Sequence, residues 1–262
     1  MTSPRICERV NILGVGLSVI NRRSAVRLFF QALEQKQFGY ITVTGVHGVM
    51  EAQQDESLRA VLNGSLLCTP DGMPMVWLGR LAGYRQIGRV YGPDFMLDVC
   101  EASPSRGLRH FFYGGAQGVA SDLKEKLAVR FPGLNVVGVY EPPFRPLNAE
   151  EQAEFKRLVQ ETRPDVIWVG LSTPKQERFM AEYISKLGVP VMMVGVGAAF
   201  DFHTGRVKQA PDWMQAIGME WFYRLCQEPR RLWRRYLTNN PRFVLLLFCQ
   251  VLGLRKAKSL DP

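Results

Sequence analysis

PDVIWVGLSTPKQERFMAEYISKLGVPVMMVGVGAAFDFHTGRVKQAP, residues 164–211, decides the fold. An apolar run, Val166 to Val169, ends in the loop Gly170-Leu171-Ser172-Thr173. Pro174 then opens a helical pattern with Lys175, Gln176 and Glu177 in its first turn, where proline's fixed φ suits the helix and its missing N–H costs nothing. A second apolar run, Val191 to Val196, ends in Gly195-Val196-Gly197. Apolar run, helix, apolar run predicts a β-α-β unit with parallel strands. Ligands of such sheets bind beyond the carboxyl ends of the strands. Gln176 and Asp201 are therefore expected to face one shared cleft.

The same alternation extends on both sides. Strands are expected at Val10–Gly16, Tyr40–Val46, Leu66–Thr69, His110–Tyr113 and Asn135–Tyr140. Helices are expected at Ser24–Gln35, Glu51–Leu62, Met73–Leu81, Phe95–Ala102, Val119–Phe131 and Ala149–Thr162. The pattern predicts an α/β domain over residues 1–210, a Rossmann-like, mostly parallel sheet flanked by helices. Beyond Ala210 strand signals stop. Residues 211–262 read as a helical, basic and aromatic appendage, with Pro241 breaking its pattern before Phe243-Val244-Leu245-Leu246-Leu247-Phe248.

Composition narrows the class. With 262 residues and 47% hydrophobic content the chain can bury a sizeable core. The net charge is +9, and five arginines with one acid fall between Arg224 and Arg235, which favours an anionic partner: a membrane surface, nucleic acid or a diphosphate. The cysteines, Cys7, Cys68, Cys100, Cys226 and Cys249, form no C-x-x-C pair, which suits a reducing cytoplasm. The N-terminus lacks the apolar segment of a signal peptide. The longest apolar run, Phe243 to Leu254, falls short of the roughly 20 residues a spanning helix needs.

Three glycine clusters invite a cofactor reading. Gly14-Val15-Gly16 has Val19, and Gly195-Val196-Gly197 has Phe200, where a dinucleotide fingerprint needs a small residue. Gly114-Gly115-Ala116-Gln117-Gly118 lacks the ending of a phosphate-binding loop of the Walker type. Singly, each fits a tight strand-to-helix turn. Three at one sheet edge could expose enough backbone N–H groups to cradle a diphosphate.

Several motifs occur in order: Asp71-Gly72-Met73-Pro74, Arg89-Val90-Tyr91-Gly92-Pro93-Asp94, Pro174-Lys175-Gln176-Glu177, Gly195 to Asp201, and Glu220-Trp221-Phe222-Tyr223-Arg224-Leu225, continuing through Glu228-Pro229-Arg230-Arg231-Leu232 to Tyr236. Together they closely resemble the WecG/TagA/CpsF glycosyltransferases (glycosyltransferase family 26) over about Ile12 to Phe248. The resemblance implies inverting transfer of a hexose, N-acetylmannosamine or another, from a UDP-sugar co-substrate to a polyprenyl-diphosphate-linked sugar. It implies no metal or other cofactor, and a place in bacterial surface or exopolysaccharide biosynthesis. It implies Asp71 as general base, with Arg89 and Gln176 as functional residues. The family's Thr-x-Asn at the end of the second strand is replaced by Val43 and Gly45, with Thr44 or His47 as substitutes.

The residues support that chemistry in part. A carboxylate can take the acceptor hydroxyl's proton, although Asp71-Gly72 alone also fits a turn. Without a metal, the leaving diphosphate must meet arginine or backbone N–H groups. Arg89 is the first candidate, with a surface ion pair to Asp94 as its alternative. Arg224, Arg230, Arg231 and Arg234 are further candidates. Gln176 could bond a sugar or uracil edge, or act in the helix cap. Thr44, His47, Gly72, Asp94, Gly114, Gly115, Lys175, Gly197 and Asp201 complete the expected substrate-binding set. Of the histidines, His110 is expected to be structural, and no His/Asp/Glu cluster has metal spacing.

From Met219 onward Trp221, Phe222, Tyr223, Leu225, Leu232, Trp233 and Tyr236 alternate with arginine, as in helices lying in the headgroup plane. The expected place is the inner face of the plasma membrane, held peripherally through this tail, with a homo-oligomer left open. Two rivals remain: a nicotinamide-dependent oxidoreductase, which the broken glycine fingerprints oppose, and a nucleic-acid-binding protein using the tail, which the leucine-rich run after Pro241 opposes.

Overall fold

A computed structural model of the chain describes residues 6–252, 254, 259 and 260. In chain order the elements are β1 (Arg9–Ile12), β2 (Val15–Ser18), α1 (Arg22–Glu34), β3 (Gly39–Thr44), α2 (Val46–Gln54), α3 (Glu56–Gly64), β4 (Leu67–Pro70), α4 (Met73–Leu81), α5 (Gly92–Ala102), β5 (Arg109–Gly114), α6 (Val119–Arg130), β6 (Asn135–Tyr140) and α7 (Ala149–Thr162). There follow β7 (Val166–Gly170), α8 (Lys175–Lys186), β8 (Met192–Gly195), α9 (Ala199–His203), α10 (Asp212–Ala216), α11 (Glu220–Gln227) and α12 (Pro229–Val251).

The main sheet has six strands in the order β4-β3-β8-β7-β5-β6. The expected parallel unit is present: Ile167 of β7 pairs with Met193 of β8, and Phe112 of β5 with Trp168 of β7. These strands are buried on both faces, which is why they read as unbroken apolar runs rather than alternating ones. The chain divides into two compact units, and one of the boundaries falls within β3.

One unit holds residues 23–42 and 92–208. Its core is aromatic. Trp168 stacks on Phe29 and His110, while Tyr113 packs between Phe155, Phe179 and Tyr140. His110 accepts a 3.0 Å hydrogen bond from Trp168 Nε1 through Nδ1, and burial lowers its pKa to about 4. It is structural, as its position at the start of a strand suggested.

The other unit groups residues 1–22 and 43–91 with the C-terminal residues from 209. Here the sequence misled at four places. Val10–Gly16 is not one strand of the main sheet: β1 and β2 form a separate two-stranded antiparallel hairpin, with Ile12 opposite Val15. Leu13 and Gly14 both have positive φ, 54° and 86°, as a two-residue hairpin turn requires. The turn is pinned from three sides, by Asn63 Nδ2 to Gly14 O (3.0 Å), Gln53 Nε2 to Leu13 O (2.8 Å) and Leu13 N to Gln250 Oε1 (3.0 Å). The helix expected at 51–62 is two helices, because Asp55 ends α2 and its carboxylate caps α3 through Leu58 N–H. Pro241 lies inside the continuous α12 and breaks nothing. Finally, Leu232 and Phe243 are 1% and 5% exposed, so part of the apolar tail belongs to this unit's interior rather than to an outer face.

No helix among the described residues is long and apolar enough to cross a membrane.

Candidate active site

In the unit containing β4, the strand stops at Pro70 and the chain turns through Asp71-Gly72. Gly72 takes φ +89° as the residue capping α4, a conformation that favours glycine. Asp71 N–H extends the ladder by donating to Thr44 O at 3.0 Å. Thr44 is buried, its hydroxyl accepting from Cys68 Sγ at 3.4 Å. The Asp71 side chain stays 31% exposed at the carboxyl end of the strand.

The segment carrying Arg89 is laid beside it by the backbone. Buried Val90 donates its N–H to Pro70 O at 2.9 Å, which sets Arg89 and Tyr91 on either side of that bond. Arg89 Nε lies 4.0 Å from Asp71 Oδ1 and makes no hydrogen bond. Its other nitrogens are committed: Nη1 donates to Gln215 Oε1 at 2.7 Å, and Nη2 to Glu220 Oε2. The guanidinium also lies over the Tyr91 ring, 4.1 Å from its centre. Burial pushes the Tyr91 phenol far above its usual range, and the Glu220 and Asp71 carboxylates add to the shift. Arg89 therefore ties Tyr91, Gln215 and Glu220 into one cluster beside Asp71.

His47 sits nearby in sequence, on α2, with Nδ1 3.5 Å from Glu51 Oε1 and 3.2 Å from Asn239 Nδ2 of α12. Arg224 is half-buried, while Arg230 and Arg234 are exposed, the latter lying over the Trp233 ring. The side chain of Arg231 lies outside the described residues.

The second group belongs to the unit built on β7 and β8. Gln176 is only 2% exposed. Its Oε1 accepts from Gly197 N–H at 3.0 Å, and its Nε2 donates to Glu177 Oε1 at 3.0 Å. Gly195 makes room for it: a Cβ there would stand 3.0 Å from Gln176 Cδ. Lys175 is exposed in the first helical position. Asp201 lies half-buried in α9, its main-chain carbonyl accepting from Arg206 and Val207. Asp94 stands in the first turn of α5.

The expected cradle of three glycine loops needs correction. Gly14 and Gly16 belong to the hairpin. In the second loop, the N–H groups of Gly118, Ala120 and Ser121 all go to the Glu141 carboxylate, at 2.6, 2.9 and 3.1 Å. An acid from the end of β6 thus satisfies the N-terminus of α6. Gly114 and Gly115 serve packing: a Cβ on Gly114 would stand 2.6 Å from Gly170 O, and one on Gly115 2.8 Å from Val119. In the third loop Gly197 N–H goes to Gln176.

A partly exposed carboxylate at the carboxyl edge of a mostly parallel sheet, beside a fixed arginine, suits proton abstraction from a bound hydroxyl. Comparison with known proteins gives this chemistry a class. Residues 10–257 match the profile of the glycosyl transferase WecG/TagA/CpsF family. The chain belongs to that family. It is similar to the N-acetylglucosaminyldiphosphoundecaprenol N-acetyl-beta-D-mannosaminyltransferase of Bacillus spizizenii (strain ATCC 23059 / NRRL B-14472 / W23), with 31% identity over 81% of this chain and 79% of the relative. The protein of the same name from Bacillus subtilis (strain 168) is 29% identical over 81% of this chain and 80% of its own length. This WecG/TagA/CpsF chain is a glycosyltransferase, and the nicotinamide reading falls away.

Sequence reasoning missed the partners of its own candidates. Glu220 opens the Glu220-to-Leu225 motif, but nothing local in that motif points to Arg89. Gln215 stands in no motif, and 126 positions separate it from Arg89. Glu141 follows β6 as a lone acid, and only the fold brings it to α6.

Proposed function

We propose that this hexosyltransferase moves N-acetylmannosamine, or a closely related sugar, from its UDP conjugate to a polyprenyl-diphosphate-linked sugar, with inversion at the anomeric carbon. Asp71 takes the proton from the attacking acceptor hydroxyl, the new glycosidic bond forms, and UDP leaves with the electrons of the broken bond. The relatives' names, N-acetylglucosaminyldiphosphoundecaprenol N-acetyl-beta-D-mannosaminyltransferase, support this reading of donor and acceptor. The observation that carries the base assignment is the 31% exposed Asp71 carboxylate at the carboxyl end of β4, with Arg89 Nε 4.0 Å away.

Arg89 takes a different role from the one its residue type suggests. With Nη1 and Nη2 engaged by Gln215 and Glu220, it orients the Asp71 environment and holds the segment from Gln215 to Glu220. The leaving diphosphate is then met by Arg224, Arg230 or Arg234. Peripheral membrane attachment through α12 belongs to the same reading, since the acceptor is a lipid. So does transfer without a bound metal, which activity unchanged by EDTA would support.

The test is incubation with a panel of UDP-sugars and a short-chain lipid-diphosphate acceptor, read by mass spectrometry. Asp71→Asn is expected to lose transfer by ~100-fold or more while UDP-sugar binding persists. Retained turnover removes Asp71 from the role.

A further inference from the structure

Beside Gln176 lies a carboxyl group to which the reaction above gives no task. Glu177 is 1% exposed on the first turn of α8. Its Oε1 accepts two hydrogen bonds, from Thr173 Oγ1 at 2.9 Å and from Gln176 Nε2 at 3.0 Å. Its Oε2 is buried and has no hydrogen-bond partner. Burial raises the carboxyl pKa, and the hydrogen bonds from Gln176 and Thr173 oppose this only in part. No charged neighbour contributes to that shift.

A first-turn acid is usually explained by the positive end of the helix, which favours an exposed carboxylate. A side chain buried to this degree is not explained that way. What it does have is control over a neighbouring amide. The two ends of a glutamine amide are nearly isosteric, so its orientation must be set by its partners. Gly197 N–H demands an acceptor, and Glu177 Oε1, with Thr173 already donating to it, demands a donor. Those demands agree on one orientation, with Gln176 Oε1 toward the β8 loop and Nε2 toward Glu177. One Nε2 proton is spent on Glu177, and the planar amide then fixes the direction of the second.

We propose that Glu177 is the positioning residue for Gln176: anchored by Thr173, it fixes the amide so that one N–H bond always presents the same way. The clamp stands on this geometry, while its consequence for turnover rests on the glycosyl transfer proposed above. Misplacing a positioned group by about 1 Å can cost about 100-fold in rate.

The experiment uses the full chain with Glu177→Leu, which keeps the bulk and removes the acceptor, and Glu177→Gln, which keeps an uncharged acceptor oxygen. The first readout is hydrogen exchange of the Gln176 side-chain amide protons by NMR. One proton is expected to exchange slowly in the wild type and in Glu177→Gln, and fast in Glu177→Leu. The second is kcat and KM for the UDP-sugar. Glu177→Leu is expected to lower kcat by about tenfold or more, with Glu177→Gln restoring most of it. Adding Gln176→Ala to Glu177→Leu is expected to cost little more, because the two side chains act as one unit. Should Glu177→Leu fail to fold, Glu177→Asp carries the same expectations, since it withdraws the acceptor by one methylene. Unchanged exchange in the acceptor-deleted variant, a Glu177→Gln as defective as Glu177→Leu, or additive costs with Gln176→Ala would overturn the proposal. A wild-type chain without transfer would sink the glycosyl-transfer reading and leave the exchange measurement to decide the clamp.

Discussion

Arg89 donates to Gln215 at 2.7 Å across 126 positions of chain, and this bond ties the start of the helical C-terminal segment to the strand end that bears Asp71. The neighbouring bond to Glu220 and the stacking on Tyr91 use the same planar group. Lysine has one point charge and no fork, so it cannot serve all three. Arg89→Lys is expected to destabilise the unit by about 1–3 kcal/mol, leaving a largely buried Glu220 under-satisfied. Limited proteolysis should then cut between Pro211 and Gln227. Unchanged cleavage and thermal unfolding would show that the tie carries little.

Gly45 meets Asp71 from the other side. A Cβ at position 45 would stand 2.9 Å from the Asp71 carbonyl oxygen and 3.8 Å from its Oδ2. The obstacle is backbone, which cannot swing aside as a side-chain tip can. Gly45→Ala is expected to cost about 1–3 kcal/mol through this overpacking. Because the displaced group is the proposed base, transfer should fall further than stability does, by roughly tenfold at a temperature where the variant is still folded. Parallel melting and turnover measurements separate the two effects. This also bears on the missing asparagine of the family pattern, since with this backbone the position has no room for a side chain.

The legible part of the fold was the part in which local signals agree. The stretch from Val166 to Gly195 declared its strands by unbroken apolar runs and its helix by Pro174 and the polar first turn after it, and β7, α8 and β8 lie where that pattern put them. The hairpin at Leu13-Gly14 is hidden in an apolar run, Ile12 to Val15, and its one polar signal is Asn11, whose Oδ1 accepts from Gly14 N–H at 2.8 Å. In the candidate site, residue types at the strand ends could be read, but their partners could not. Gln215, Glu220 and Glu141 reach their targets only through long-range packing, and no local rule spans 126 positions. Pro241 was overread as a stop, because a proline inside a helix loses one backbone bond and tertiary packing can offset that loss.

Two buried groups in the Trp168 unit should give opposite pH dependences. His110 has its pKa lowered from 6.5 to about 4, so the unfolded chain binds more protons between those values. Stability therefore rises from pH 4 to 6.5 and is lost on acidification. Glu177 is raised above 4.5, so the folded chain holds the extra proton. Its contribution runs the other way, and stability falls as pH climbs through the raised value. Unfolding free energies across pH 4 to 8 should show a flatter acid limb in His110→Asn, which keeps an acceptor near the Trp168 N–H. Glu177→Gln should show a flatter fall on the alkaline side. Unaltered slopes in both variants would mean that neither group titrates as its burial implies.

The last expectation concerns α12, whose two sides have opposite characters. Leu232, Asn239, Phe243 and Gln250 fall on one side at helical spacing. Leu232, Asn239 and Phe243 are buried, and Gln250 bonds the Leu13 turn. Trp233, Leu237, Val244 and Phe248 fall on the opposite side and are 46%, 63%, 64% and 60% exposed. Removing the whole tail would therefore strip this unit of core residues as well as of its apolar outer face, and lost activity could come from either. Substituting the outer face alone separates them. A Val244→Ser, Leu245→Ser, Phe248→Ser variant is expected to keep its melting temperature and to lose binding to anionic vesicles by about tenfold or more, given some 1.5 kcal/mol or more for each large apolar side chain withdrawn from lipid. Phe243→Ala should do the reverse, costing roughly 3–5 kcal/mol of stability for a buried aromatic removed. Adding Arg230→Gln and Arg234→Gln should weaken binding to anionic but not to neutral vesicles, at about 1 kcal/mol per charge. Full vesicle binding by the serine variant would mean that the membrane is met by another surface.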